Sequence, residues 1–269
     1  MIRIATIADV HFSQTTDGLL RPYWSSLHEC ADLFLIGGDL TTHGGADQVA
    51  ALARELSYVR VPIVAVLGNH DYHSNQDKEV RKILEAAGVI VLEGTNTTFT
   101  IGAESIGIAG TSGFGGGFAG ACGSSFGEPE MKAFIGHTER LANSLEAALS
   151  DLKTDFRVAL LHYSPVKDTI TGERLEIYPF LGSYLFAEAV DRTGADLIIH
   201  GHAHHGQEKG ITAGGVPVRN VALPVLRRAY AIYNLEKAAH SSTGAAQGSG
   251  AISESPRTSC NTAAEISAS

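Results

Sequence analysis

Five times along this chain a short apolar run stops on a carboxylate, an amide or an imidazole. Residues 2–8 lead into Asp9-Val10-His11, and 32–36 into Gly37-Gly38-Asp39. Residues 61–67 lead into Gly68-Asn69-His70-Asp71, 156–161 into His162, and 196–199 into His200-Gly201-His202-Ala203-His204-His205. Short apolar runs closed by turn-forming residues read as buried strands. Helical patterns at 22–30, 45–57 and 75–87 separate the first strands, and 89–92 gives a further one. Such alternation of strand and helix predicts an α/β fold with parallel strands and right-handed crossovers. Open α/β sheets bind ligands beyond the carboxyl ends of their strands, so the polar stops are expected along one edge. If β geometry persists past residue 8, Asp9 and His11 point to the same side.

Further along, 97–101 and 105–109 read as a β-hairpin and precede a glycine-rich stretch, 110–120. A long helix is expected over 129–150, with Leu141, Leu145, Ala148 and Leu149 on one face. A long loop covers 163–182, a helix 183–193, and the last strands fall at 216–221 and 229–235. No close repeat links the two halves. Residues 1–235 therefore form the expected folded domain, which the resemblance given below makes the catalytic one. From 236 to 269 the chain is mostly Ala, Ser, Thr and Gly. So little apolar area cannot offset ordering entropy, and this segment reads as a mobile tail.

With 269 residues, 44% of them apolar and 18% charged, the chain has the makings of a soluble globular protein with a sizeable core. A net charge of −9 argues against broad nucleic-acid binding, which needs a basic surface. Cys30, Cys122 and Cys260 are scattered, odd in number and without metal-like spacing, which fits a reducing compartment. Neither a secretory pattern nor an apolar run of about 20 residues is visible, so a cytoplasmic protein is expected, with no membrane partner.

Oxygen and imidazole donors without thiolate suit Mn, Fe or Zn. Two such ions would outweigh the carboxylates of Asp9 and Asp39 and attract an anion. In its order Asp9-x-His11, Gly38-Asp39, Gly68-Asn69-His70-Asp71, His162 and Gly201-His202-x-His204, the chain resembles the calcineurin-like metallophosphoesterase superfamily. The resemblance runs from residue 2 to about 235. It implies a four-layer α/β sandwich, two mixed sheets flanked by helices. One divalent or trivalent ion would be held by Asp9, His11, Asp39 and His204. The other would be held by Asp39, Asn69, His162 and His202, with Asp39 bridging. A hydroxide between the ions would attack phosphorus, His70 would assist the leaving oxygen, and Asp71 would orient His70. Physical chemistry supports those last roles, because a departing alkoxide needs a proton and a carboxylate on the far ring nitrogen fixes the tautomer.

The expected substrate is a small phosphomonoester or phosphodiester, with a cyclic nucleotide among the candidates. A nuclease of the same superfamily and a non-catalytic metal-binding scaffold are the competing readings. Candidate substrate contacts are His205, Arg174, Phe114 and Phe118, with His43, His73, Lys167 and Tyr178 as further loop residues. A solvated loop histidine is the commoner reading of His205, His43 and His73. His200 reads as packing. Tyr163 stands where some relatives carry a second histidine. The 110–120 stretch lacks the Gly-Lys-Ser/Thr ending of a P-loop and reads as a flexible loop or a substrate contact.

Overall fold

Alternation decides which residues of each strand face which layer. The computed structural model describes residues 1–13, 16–237 and 251–254. In it, β1 (Ile2–Ile7) is followed by α1 (Arg21–Trp24) and a 3-10 turn, Leu27–Glu29. The single helix expected over 22–30 is thus two short pieces. Between them, the Ser25 and Ser26 hydroxyls bond back to the carbonyls of Pro22 and Tyr23, a competition that disfavours a continuous helix. Next come β2 (Leu33–Gly37), α2 (Ala46–Leu56), β3 (Ile63–Val66), a one-turn α3 (Asn69–Tyr72), α4 (Asp77–Ala86) and β4 (Val89–Val91). The hairpin is β5 (Thr95–Ile101) with β6 (Glu104–Thr111), and a small one pairs β7 (Gly117–Phe118) with β8 (Ala121–Cys122).

The second half runs α5 (Pro129–Ser150), β9 (Phe156–Leu161), α6 (Tyr178–Leu181), α7 (Tyr184–Thr193), β10 (Leu197–His200), β11 (Lys209–Ile211), β12 (Pro217–Asn220), α8 (Leu223–Leu226), β13 (Ala231–Glu236) and β14 (Ala251–Glu254). The loop at 163–182 is therefore not structureless, since it carries α6 and two 3-10 turns. The tail is corrected as well. Ala251–Glu254 pairs antiparallel with β13, and Ile252 packs against the central core. One apolar side chain and an open edge suffice there, which composition does not reveal. The remainder of the tail lies outside the described residues.

One sheet has the order β14-β13-β1-β2-β3-β4 and the other β11-β12-β10-β9-β6-β5. In each, four adjacent strands are parallel and the rest antiparallel. Ile2, Ile4, Leu33, Leu35, Val64 and Val66 point inward and meet Phe156, Val158, Leu160, Leu197 and Ile199 of the other sheet. Their chain neighbours point outward. Phe34, Ile36 and Ala65 pack beneath α2 and α4, while Ala159, Leu161 and Ile198 pack beneath α5 and α7. Helix, sheet, sheet and helix make the four expected layers, with period-two alternation doubling as the layer code. Among the described residues, no helix is long and apolar enough to cross a membrane.

Candidate metal centre

Beyond the ends of β1 and β2 the chain does not stay extended. Asp9 (φ 56°), His11 (φ 44°) and Asp39 (φ 47°) adopt the left-handed conformation, as does His202 (φ 69°) after β10. This conformation costs about 1–3 kcal/mol per non-glycine residue and concentrates at functional sites. Asp9 and His11 therefore converge through two left-handed turns, not through the strand alternation expected of them. Residues 9–12 are laced to 38–41 by Asp9 N–H on the Gly38 carbonyl and His11 N–H on that of Asp39, both 3.0 Å. Two glycines allow the turns to touch. A Cβ on Gly68 would lie 2.2 Å from Asp39 Oδ1, and one on Gly201 would lie 2.2 Å from Asp9 Oδ2.

The expected ligands fall into groups whose donor atoms lie within 4.8 Å of one another: Asp9, His11 and His204, and Asp39, His162 and His202. A third group joins His11, Asp39 and His70. Asn69 Oδ1 is 3.0 Å from His162 Nε2 and so belongs to the second. Partners outside the centre orient the rings. His162 donates Nδ1–H to the Gly37 carbonyl (2.9 Å), which turns the Nε2 lone pair inward. His202 Nε2 faces the Phe180 carbonyl (3.3 Å), leaving Nδ1 to the second group. His11 and His204 bring their Nε2 atoms to 3.4 Å from each other, and His204 Nε2 is 2.9 Å from Asp9 Oδ1. Ring nitrogens and carboxylate oxygens crowded this closely are a donor set that a hard or borderline cation satisfies, so these residues fit a metal pair.

Electrostatics agrees. Burial opposes charge on Asp9, but the hydrogen bond from His204 and the charges of His162, His204 and His11 hold its carboxyl well below the usual range. Burial pushes His202 down to about 3 and lowers His11 as well. Both are thus neutral lone-pair donors at ordinary pH. Burial also works against His204, yet its bond to Asp9 and the charges of Asp9 and Asp39 raise it.

His70 lies at this edge with Nε2 4.0 Å from Asp39 Oδ2. Its Nδ1 contacts the Thr42 carbonyl at 2.7 Å, so that nitrogen carries the proton. The expected Asp71 partner is absent from the ring. Asp71 instead accepts Leu40 N–H (3.1 Å), Thr41 N–H and Oγ1–H (2.9 Å each) and Gly68 N–H (2.9 Å). It caps α3 and ties the Asp39–Thr42 turn to the turn carrying Asn69 and His70. Burial pushes its carboxyl up to about 6, and the donors work in the other direction. Sequence reading misses Thr42, since a backbone carbonyl leaves no trace in residue identity.

The remaining candidates are sorted by position. His200 is buried between the Gly201 carbonyl and Thr169 Oγ1, both 2.8 Å, and is structural as expected. Arg174 is 81% exposed and paired with Glu176. His205, Lys167, His43 and His73 are exposed, the last two ring to ring at 5.4 Å. Phe118, only 4% exposed, is core with Ile170, Tyr178, Leu181 and Ala203 and cannot face a substrate. Phe114 is half-buried against Phe134, His137 and Tyr163. The N–H groups of Gly116 and Gly117 are taken by the carbonyls of Pro179 and Gly182, so the glycine-rich stretch is packed onto α6 and not open as an anion nest.

Known proteins resemble this chain. A protein of Bacillus subtilis (strain 168), the uncharacterized protein YpbG, is 25% identical over 207 residues, 77% of this chain, which spans 62% of that relative's length. The phosphopantetheinyl hydrolase of Mycobacterium tuberculosis superposes with a TM-score of 0.62 at 16% identity, over 81% of this chain and 88% of that one. TT1561 of Thermus thermophilus gives 0.54 at 17%, over 86% and 93%. At these identities the structures establish a shared fold. The family model for calcineurin-like phosphoesterases matches residues 2–206, a span that holds Asp9, Asp39, Asn69, His162 and His204 alike, and the chain belongs to that family.

Proposed function

We propose that this protein hydrolyses small phosphate esters, mono- or diesters, at a centre of two metal ions of the Mn, Fe or Zn type. The observation that carries this reading is the sharing of Asp39. Its Oδ1 lies 3.4 Å from His162 Nε2 and its Oδ2 3.8 Å from His11 Nε2, so one carboxylate serves both ligand groups. Asp9, His11, Asp39 and His204 would hold one ion, and Asp39, Asn69, His162 and His202 the other. Ions bound there supply Lewis acidity toward phosphoryl oxygens and an ionised water at neutral pH.

The chain's own residues do the rest. With its Nδ1–H on the Thr42 carbonyl, His70 has Nε2 as its working nitrogen; when both ring nitrogens are protonated, Nε2 gives its proton to the departing oxygen and the ring is left neutral with Nδ1–H still on Thr42. Asp71 acts as a positioning residue, holding the Thr42 turn and the His70 turn in register. The net charge of −9 favours a small ester over a nucleic acid.

The test is metal analysis combined with turnover of p-nitrophenyl phosphate and bis(p-nitrophenyl) phosphate in Mn²⁺. Two equivalents of metal with turnover that collapses in His70→Ala support the reading. Two equivalents without turnover of any ester would instead favour the scaffold. Asp71→Asn separates positioning from ligation: turnover and stability fall together while metal stoichiometry holds.

A further inference from the structure

The second ligand group is flanked by a row of aromatic rings. The Tyr163 ring lies 4.3 Å from that of His202, and Phe114 lies 5.8 Å from Tyr163. Phe134 follows at 5.0 Å from Phe114, and Phe180 at 6.3 Å from Phe134. The Phe180 carbonyl then returns to His202 Nε2 at 3.3 Å. Were this only core, its outer members would be covered. Tyr163 is nearly buried, but Phe114 and Phe134 are half-buried and Phe180 is 58% exposed. An uncovered cluster of rings touching a ligating histidine is the kind of apolar patch that marks a binding surface.

We infer that these rings form a platform for a flat aromatic group on the phosphate ester, beside the metal position held by Asp39, His162 and His202. This rests on the phosphoesterase reading and names its substrate class. Continuity with the centre argues for a substrate ring, since the Tyr163 ring packs on His202 and the Phe180 main chain, whose ring closes the far end of the row, also reaches it. Chemistry argues for aromatic over anionic. Arg174, a cation among the candidate substrate contacts, is turned to solvent against Glu176. Exposed ring edges and faces bind another ring in offset or edge-on geometry.

The probes are methyl-, butyl- and phenylphosphonate, titrated calorimetrically into the full-length Mn²⁺-loaded protein. Phenylphosphonate is expected to bind about 3- to 10-fold tighter than methylphosphonate, the range of one aromatic contact. Phe180→Ala and Phe134→Ala should bring that ratio toward one. Ile211→Ala, which removes a 56%-exposed apolar side chain from β11, should leave the ratio alone. A ratio of one in the wild type, a ratio surviving both phenylalanine variants, or butyl matching phenyl overturns the platform. Failure of all three probes to bind overturns both the platform and the phosphate-ester reading. A phenyl preference without turnover of any ester removes the catalytic reading alone.

Discussion

At the shared edge, β1, β2 and β3 of the first sheet end in Asp9, His11, Asp39, Asn69 and His70, whereas β9 and β10 of the second end in His162, His202 and His204. The first sheet brings both carboxylates and three of the four left-handed ligand residues, in turns laced to each other and tied by Asp71. The second brings imidazoles, two of them oriented by backbone carbonyls. Both carboxylates thus sit on one sheet, the other contributes imidazoles alone, and each ligand group draws on both. A metal held this way would bridge the two sheets, and this division of roles can be attacked from either side.

The largest effect is expected on the acidic side. Asp39→Asn removes the one charge common to both groups. Turnover of bis(p-nitrophenyl) phosphate should fall on the order of 10³-fold or more, as for loss of a principal electrostatic group. Elemental analysis should show fewer than two ions. Full metal content in this variant would break the claim that Asp39 is shared. His70→Ala comes next. It should lose about 10²- to 10³-fold in kcat, within the range of general-acid catalysis, while keeping both metals. Metal loss in that variant would move His70 from the leaving group to the ligand set that geometry also allows it, beside His11 and Asp39.

Bridging makes a claim about stability. If ions join the sheets, stripping them with a chelator should cost about 3 kcal/mol per ion at metal concentrations near 100 times Kd. For a domain of this size that is a fall in Tm of about 6–12 °C for each ion. Asp9→Asn and His204→Ala, from opposite sheets, should each abolish about half of the difference between loaded and stripped protein, the share of the ion they would hold. A chelator without effect on Tm would mean that the sheets are held by their central apolar layer alone.

What is legible in the sequence follows from what periodicity and residue chemistry carry. Strand alternation sorts Leu33 from Phe34 and Phe156 from Arg157, and this is enough for the layers. A ligand set is legible because carboxylate, amide and imidazole stops recur in one order. Turn conformation is not legible: nothing in Asp9-Val10-His11 announces two left-handed residues, so strand alternation points to the right convergence for the wrong reason. Asp71 shows the same gap, because adjacency to His70 in sequence suggests a contact that a one-turn helix directs elsewhere. Phe118 and Phe180 look alike as letters. One is sealed by Ile170 and Leu181 and the other lies open, a difference set by tertiary packing of residues far apart in the chain.

The smallest predicted effect probes the imidazole side. Burial pushes the His200 imidazole down to about 4, from an ordinary value of 6.5. The folded protein therefore keeps this ring neutral while the unfolded chain takes up a proton below pH 6.5. Below that point the unfolded state binds more protons, so stability falls as pH drops from 6.5 toward 4. Between pH 7.5 and 5 the loss from this residue is about 2 kcal/mol. Chelator-treated wild type and His200→Gln, compared by urea unfolding at both values, isolate it, since other titrating groups are common to the two. The glutamine variant should start less stable, having disturbed the bonds to Gly201 and Thr169, and should lose about 2 kcal/mol less on acidification. Equal losses would mean that a proton is accommodated beside Thr169 in the folded state, and that burial does not keep the His200 ring neutral.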